Sequence, residues 1–197
     1  MPTSDGPLLD TPACGGALPG PEASREGAAA AEPGPDFESW AAVRWSRLVR
    51  TAYLLTGDHH EAEDLVQTTL AKIYPGWSRI SRLDEPDAYV HRALTNNNLS
   101  RFRRRRVVHL LTARLPERSR PESTGRVETR ASLVAALAAL PPRMRAVVVL
   151  RYWEDMSEQQ VADVLGCSVG NVKSQASRAL RKLRDHPALA AAESGER

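Results

Sequence analysis

Cysteine is nearly absent from this chain of 197 residues: Cys14 and Cys167 stand far apart in unlike surroundings. That excludes a disulfide framework and a cysteine-based zinc spacing, and it fits a reducing, cytoplasmic compartment. No apolar run reaches the roughly 18 to 20 residues that span a bilayer. The N-terminus lacks a charged start followed by an apolar core, so neither a membrane contact nor a secretory signal is expected. No alternating β-branched stretch marks a strand, and no internal repeat is visible. Neither sign of charge dominates: the formal net charge is +3 with 26% charged residues, so the placement of charge matters more than its sum. There is no Gly-rich phosphate loop, nucleophile elbow or His–carboxylate pattern with metal spacing. The expectation is an all-α protein with no catalytic residue, no metal and no cofactor.

What is present divides by composition. Residues 1–35 hold half of the 14 prolines and half of the 12 glycines, with no apolar periodicity. Such a segment buries too little to offset its ordering entropy and is expected to be a disordered tail. From Asp36 onward, Phe37, Ala41, Trp45, Leu48, Ala52 and Leu55 recur at helical spacing until Gly57. Asp58 and Glu61 suit a capping box that opens a second helix with an apolar face of Ala62, Leu65, Val66, Thr69, Leu70 and Ile73, stopped by Pro75-Gly76. Trp77 to Asp84 reads as a polar loop containing Arg79 and Arg82. Glu85-Pro86 starts a third helix that carries Tyr89, Val90, Ala93, Leu94 and Leu99 and ends in Arg101-Phe102-Arg103-Arg104-Arg105-Arg106. The polar stretch 107–130, with its prolines and glycine, is the expected flexible linker. It separates one small domain over 36–106 from another over 131–186, and 187–197 is a frayed tail. The second domain should hold four short helices, broken by Pro141-Pro142 and Gly166.

The last two of those helices, Ser157 to Arg184, have the spacing of a helix-turn-helix. Ser157 and Gln160 form a capping box, and Val161, Ala162 and Leu165 line the first helix. Gly166 suits the sharp turn, Ser168 can cap the second helix, and Val172, Ala176, Ala179, Leu180 and Leu183 give it a buried stripe. Such a second helix enters the DNA major groove. Ser168, Asn171, Lys173, Ser174, Gln175 and Arg178 lie off the stripe. Asn or Gln can read adenine, Arg or Lys can read guanine, and Ser with Lys can hold phosphates. An ordinary hairpin with a solvated basic face is the plainer alternative, but the small, Gly, cap and apolar positions all coincide with the DNA-reading pattern.

The arginine run repels itself without a polyanion nearby, which points to a second nucleic-acid contact. Five arginines on phosphates would steepen the salt dependence of binding by about 4 to 5. Tyr74, Trp77 and Tyr89 can stack on unpaired bases or fill a small helical core. Capping and surface charge account for Glu61, Glu63 and Asp64. His59 and His60 point about 100° apart on a helix and lack further ligands at suitable spacing. Cys167 suits packing as a small hydrophobe.

Three stretches occur in an informative order: AYLLTGDHHEAEDLVQTTLAKIY (Ala52 to Tyr74), EPDAYVHRALTNNNLSRFRRRR (Glu85 to Arg106) and LAALPPRMRAVVVLRYWEDMSEQQVADVLGCSVGNVKSQASRALRKLR (Leu137 to Arg184). Together they resemble an extracytoplasmic-function sigma factor of bacterial RNA polymerase, most closely the SigE-type branch. The resemblance implies a dissociable initiation subunit that gives polymerase its promoter specificity. Phe37 to Arg106 would be its region 2 domain and Ala131 to Arg184 its region 4 domain. Asp64, Leu65, Val66 and Gln67 match the core polymerase-binding motif. Asp64 and Gln67 would face a coiled coil of the largest catalytic subunit, with Leu65 or Val66 packing inward.

By the same resemblance Trp77, Ser78, Arg79 and Arg82, with Asn97, Arg101, Arg103, Arg104 and Arg105, would contact the −10 element and its flipped base. The recognition-helix residues Ser168 to Arg178 named above would contact the −35 element, and the linker would thread near the RNA exit path. The partners implied are RNA polymerase core, promoter DNA and an anti-sigma factor, the last a separate chain because no cysteine and histidine cluster of a zinc-containing anti-sigma domain is present. The sequence departs from the family at Thr68-Thr69, where an acidic residue often follows the Gln, and at Asn96-Asn97-Asn98 in the melting helix. A stand-alone duplex-binding regulator or a protein-binding hairpin would need neither the Asp64 to Gln67 motif nor the arginine-ended helix.

Overall fold

Eight α-helices carry the chain in the computed structural model, which describes residues 36–112 and 126–189. Every regular element among them is helical: α1 (Asp36–Thr56), α2 (His59–Ile73), a 3-10 turn (Tyr74–Gly76), α3 (Trp77–Ile80), α4 (Pro86–Thr112), α5 (Arg126–Ala139), α6 (Pro142–Val148), a π-helical turn (Val149–Trp153), α7 (Glu158–Leu165) and α8 (Val169–Arg184). The expected tail over 1–35, the middle of the expected linker and the end of the C-terminal tail lie outside the described residues.

Local chemistry sets the first three boundaries. Gly57 takes a φ of 84° and ends α1. Asp58 then caps α2, its carboxylate accepting the Glu61 N–H at 2.9 Å. The apolar side of α2 is the one periodicity predicts, from Ala62 to Ile73. It packs between α1 and α4 around Phe37, Leu48, Ala52, Leu65, Val66, Trp77, Ile80, Val90 and Leu94.

Two expectations need correction. Trp77 to Asp84 is not simply a polar loop: its first half is the helix α3, because Trp77 and Ile80, three residues apart, both insert into the core at 3% exposure. Helical structure also enters the expected linker from both sides, since α4 continues to Thr112 and α5 starts at Arg126.

A second core joins α5, α6, α7 and α8 around Leu137, Val147, Leu150, Val161, Val172 and Ala179. Leu54 and Leu55 of α1 and Leu99 of α4 belong to this second core, so the two helical clusters share an apolar seam. Arg145 fixes the seam from within. At 4% exposure it donates through Nη1 to the Leu55 carbonyl at 2.7 Å, and through Nη2 to the Ala138 and Leu140 carbonyls at 2.7 and 3.3 Å. One guanidinium thus serves the orphan carbonyls at the C-terminal ends of α1 and α5, where the helix dipoles favour a cation. Its charge also lies 5.6 Å over the Phe102 ring of α4.

Candidate nucleic-acid interface

The α7–turn–α8 unit is built as its sequence demands. Ser157 Oγ accepts the Gln160 N–H at 3.1 Å, and the Gln160 side-chain Oε1 accepts the Ser157 N–H at 2.8 Å, a reciprocal cap at the start of α7. Gly166 ends α7 with φ 60° and ψ 49°. A side chain there would meet nothing within 4 Å, so the backbone conformation alone asks for glycine. Ser168 caps α8 by accepting the Asn171 N–H at 3.2 Å. Val172, Ala176, Ala179 and Leu183 are buried, while Leu180, expected in the stripe, is 39% exposed at its edge.

Burying that stripe turns the other face outward. Ser168, Lys173, Ser174 and Arg178 are exposed, and Asn171 and Gln175 are half-buried with the Gln175 amide donating to Asn171 Oδ1. Lys173 lies 3.5 Å from Glu158, an exposed pair that a phosphate can replace. All six side chains expected to contact DNA therefore lie off the buried stripe, four of them exposed and two half-buried.

The other candidate residues divide. Ser78, Arg79 and Arg82 are exposed. Trp77 is not presented to a base: it packs edge-on to Phe37 at 5.2 Å and against Trp40 at 4.6 Å. Of the two readings open for the aromatics, Trp77 takes the core role, while Tyr74 and Tyr89 remain 42% and 39% exposed. Asn97 holds α4 to α2, donating to Thr69 Oγ1 at 3.0 Å and accepting from Lys72 at 2.7 Å. Thr69, at the departure from the family pattern, is buried and cannot meet a partner directly.

The arginine run splits by helical face. Arg101 pairs with Asp64 and Arg105 with Glu61, the latter at 2.7 and 2.8 Å. Arg103 and Arg104 are exposed, and no carboxylate pairs with them among the described residues. In the Asp64 to Gln67 quartet, Leu65 and Val66 are both wholly buried in the first core, and only Asp64 and Gln67 are exposed. The reason is the helical period, which puts both apolar residues on the face that meets α1.

A buried polar cluster at the seam escaped sequence reasoning. Glu154, with 1% of its side chain exposed, accepts from Arg47 Nε at 3.0 Å and Nη2 at 2.7 Å, and from the Thr51 hydroxyl. His91 Nε2 lies 3.6 Å from the same carboxylate, beyond hydrogen-bond reach. Burial pushes the His91 pKa below its ordinary value; Arg47 pushes the same way, while Glu154 and Asp87 oppose. Glu154 is carried in by the π-helical turn, where its N–H donates to the Val149 carbonyl at 3.1 Å, and by Asp155 in a left-handed conformation at φ 52°. The one sequence signal was that His91 shares a helical face with Ala88, Thr95 and Phe102.

Among the described residues no group of side chains could hold a metal ion, and no helix is long and apolar enough to cross a membrane. His59 stacks on Tyr53 at 4.0 Å, and His60 is exposed.

Residues 44–107 match the family described as Sigma-70 region 2, and residues 130–183 match Sigma-70, region 4. The RNA polymerase sigma-E factor of Streptomyces coelicolor is 39% identical over 150 residues, covering 76% of this chain and 85% of that protein. The ECF RNA polymerase sigma factor SigE of Mycolicibacterium smegmatis is 31% identical over 179 residues, covering 82% of this chain and 65% of that protein. Among solved structures, the sigma factor RpoE in complex with the anti-sigma factor NepR from Bartonella quintana shares the fold. It aligns with a TM-score of 0.65 at 24% identity, over 76% of this chain and 95% of that one. Both matched regions lie in one chain, in order, on the two helical clusters described above: the protein belongs to the extracytoplasmic-function sigma factors of bacterial RNA polymerase, in the SigE-type branch.

Proposed function

We propose that this sigma factor binds RNA polymerase core through the exposed Asp64 and Gln67, and sets promoter choice with α8 on the −35 element. The exposed α3 and α4 side chains Ser78, Arg79, Arg82, Arg103 and Arg104 act at the −10 element. The observation that carries the reading is the polar face of α8, with Asn171, Lys173, Ser174 and Arg178 accessible above a buried Val172–Ala176–Ala179 stripe. Arg178 is suited to a guanine edge and Lys173 to a phosphate. Sigma factors are not enzymes, so the free energy for strand opening comes from binding. A separate anti-sigma factor is a further partner, supported by the complexes of RpoE with NepR and of CnrH with the cytosolic domain of CnrY, the latter aligning at 25% identity with a TM-score of 0.50.

The test is transcription from a promoter pool by purified core polymerase with and without the protein. Discrete starts that share two upstream elements, only when the protein is added, support the proposal. Absence of such starts together with absence of core binding overturns it, and duplex binding without core would make the protein a stand-alone regulator.

A further inference from the structure

The seam between the helical clusters carries an ionic network around one buried carboxylate, Glu154, with a titratable neighbour. Arg44 pairs with Asp87 at 2.7 Å and Arg47 with Glu154 at 2.7 Å, so the two cations and two carboxylates nearest His91 cancel. His91 is 7% exposed and its Nδ1 is buried with no hydrogen-bond partner. The remaining charged groups around its cleft are Asp84 and Glu85 before α4 and Asp155 after the π-helical turn. All three are exposed, where water and salt screen them. A proton on His91 would therefore place a third positive charge beside two balanced ion pairs, at a spot where His91 and Glu154 themselves are buried from water.

Helix α4, which meets the seam, also carries buried polar groups. Ala88 and Leu99 of α4 pack on the second core. Along this stretch Arg92 Nε, Thr95 Oγ1, Asn96 Nδ2 and Asn98 Nδ2 are buried without partners among the described residues. A buried unsatisfied polar group is costly, and separation of the clusters would let water reach those that the seam covers. The closed seam is thus held by Arg145, Glu154 and the leucines Leu54, Leu55 and Leu99, against the cost of any unpartnered polar group that it covers.

We propose that His91 makes this closure proton-sensitive: acidification opens the seam and frees α4 from the C-terminal helices. Once the seam is open, His91 is solvated and titrates near its ordinary value of about 6.5. In the closed form it titrates lower. The open form therefore binds more protons, and the contribution of neutral His91 to closure is fully present above about pH 6.5. It is lost as pH falls from there toward the closed-state value, the closed-to-open ratio dropping by up to about tenfold per pH unit.

The test uses the full chain with Cys14→Ser and Cys167→Ala, labelled at Glu63→Cys on α2 and Ser177→Cys on α8. Energy transfer between the labels and helix content by circular dichroism are followed from pH 7.5 to 5.5. The expected result is a growing separation at constant helix content. His91→Gln should flatten the profile, and Glu154→Gln, which removes the carboxylate that offsets the imidazolium, should move opening to higher pH. No separation in the parent chain, separation only with loss of helix, the parent profile in His91→Gln, or an unmoved or lowered Glu154→Gln midpoint would each overturn the proposal.

Discussion

Replacing Arg145 by Leu removes a side chain that bonds the ends of two helices across the seam. Its two bonds at 2.7 Å and one at 3.3 Å are charge-assisted, and hydrogen bonds to charged groups contribute about 1.5 to 3 kcal/mol each. Leucine fills part of the volume and carries no desolvation cost, which offsets part of the loss. It leaves the Leu55 and Ala138 carbonyls without their guanidinium. The net destabilisation should be about 3 to 5 kcal/mol, or a drop of about 6 to 20 °C in Tm for a chain of this size. Urea unfolding followed by far-UV circular dichroism measures it, with the slope checked for loss of cooperativity between the clusters. Arg145→Lys is the informative companion. It keeps the charge but not the fork that reaches both helix ends, so it should lose more than half as much. If Arg145→Leu falls within 1 kcal/mol of the parent, or Arg145→Lys matches it, the guanidinium does not hold the seam and the reasoning fails.

Within the polymerase motif, Leu65→Ala should cost about 2 to 5 kcal/mol of stability by opening a cavity in the first core. Asp64→Ala should leave the denaturation midpoint nearly unchanged while weakening capture of core polymerase; equal stability losses for both would contradict the assigned faces. On α8, Arg178→Ala should reduce promoter affinity by about 5- to 150-fold and relax preference at one base pair, whereas Lys173→Ala should weaken all sequences alike and flatten the salt slope by about 1, both read by titration at several salt concentrations. On α4, the double variant Arg103→Ala with Arg104→Ala should remove about 2 from the salt slope of duplex binding by the holoenzyme. A contribution of about 4 to 5 from the whole run would require Arg101 and Arg105 to leave their carboxylates and Arg106 to meet phosphate as well.

Most of the helical scheme is legible because it is written at short range. The caps at Asp58, Ser157 and Ser168 and the turns at Gly57 and Gly166 each depend on residues within four positions. The stripe of α2 and most of that of α8 follow from one period. The same period separates exposed Asp64 and Gln67 from buried Leu65 and Val66, so the inward place of both apolar residues was available without a structure. The split of the arginine run was half available. Arg101 and Arg105 are four apart and share a face, but that this face meets Glu61 and Asp64 of α2 is a fact about packing. Trp77 was undecidable locally, since the aromatic pocket that takes it is made by Phe37 and Trp40, some 40 positions earlier.

The seam was illegible for the same reason, more severely. Glu154 pairs with residues 107 and 103 positions away, and Arg145 with a carbonyl 90 positions away. A polar linker between two helical blocks suggests independent domains, and nothing in the spacing of Leu54 and Leu55 says that both enter a core made mainly by the other block. Yet the composition of the contact suits the proposed opening. Three leucines and one arginine contribute to it, a buried carboxylate is matched by a cation whose side chain stays 58% exposed, and α4 carries buried polar atoms without partners among the described residues. A core meant to stay shut would replace such groups with apolar ones of the same volume, often at a gain in stability. Keeping them lowers the cost of opening, which is the direction that the proposed proton-sensitive closure of the seam requires.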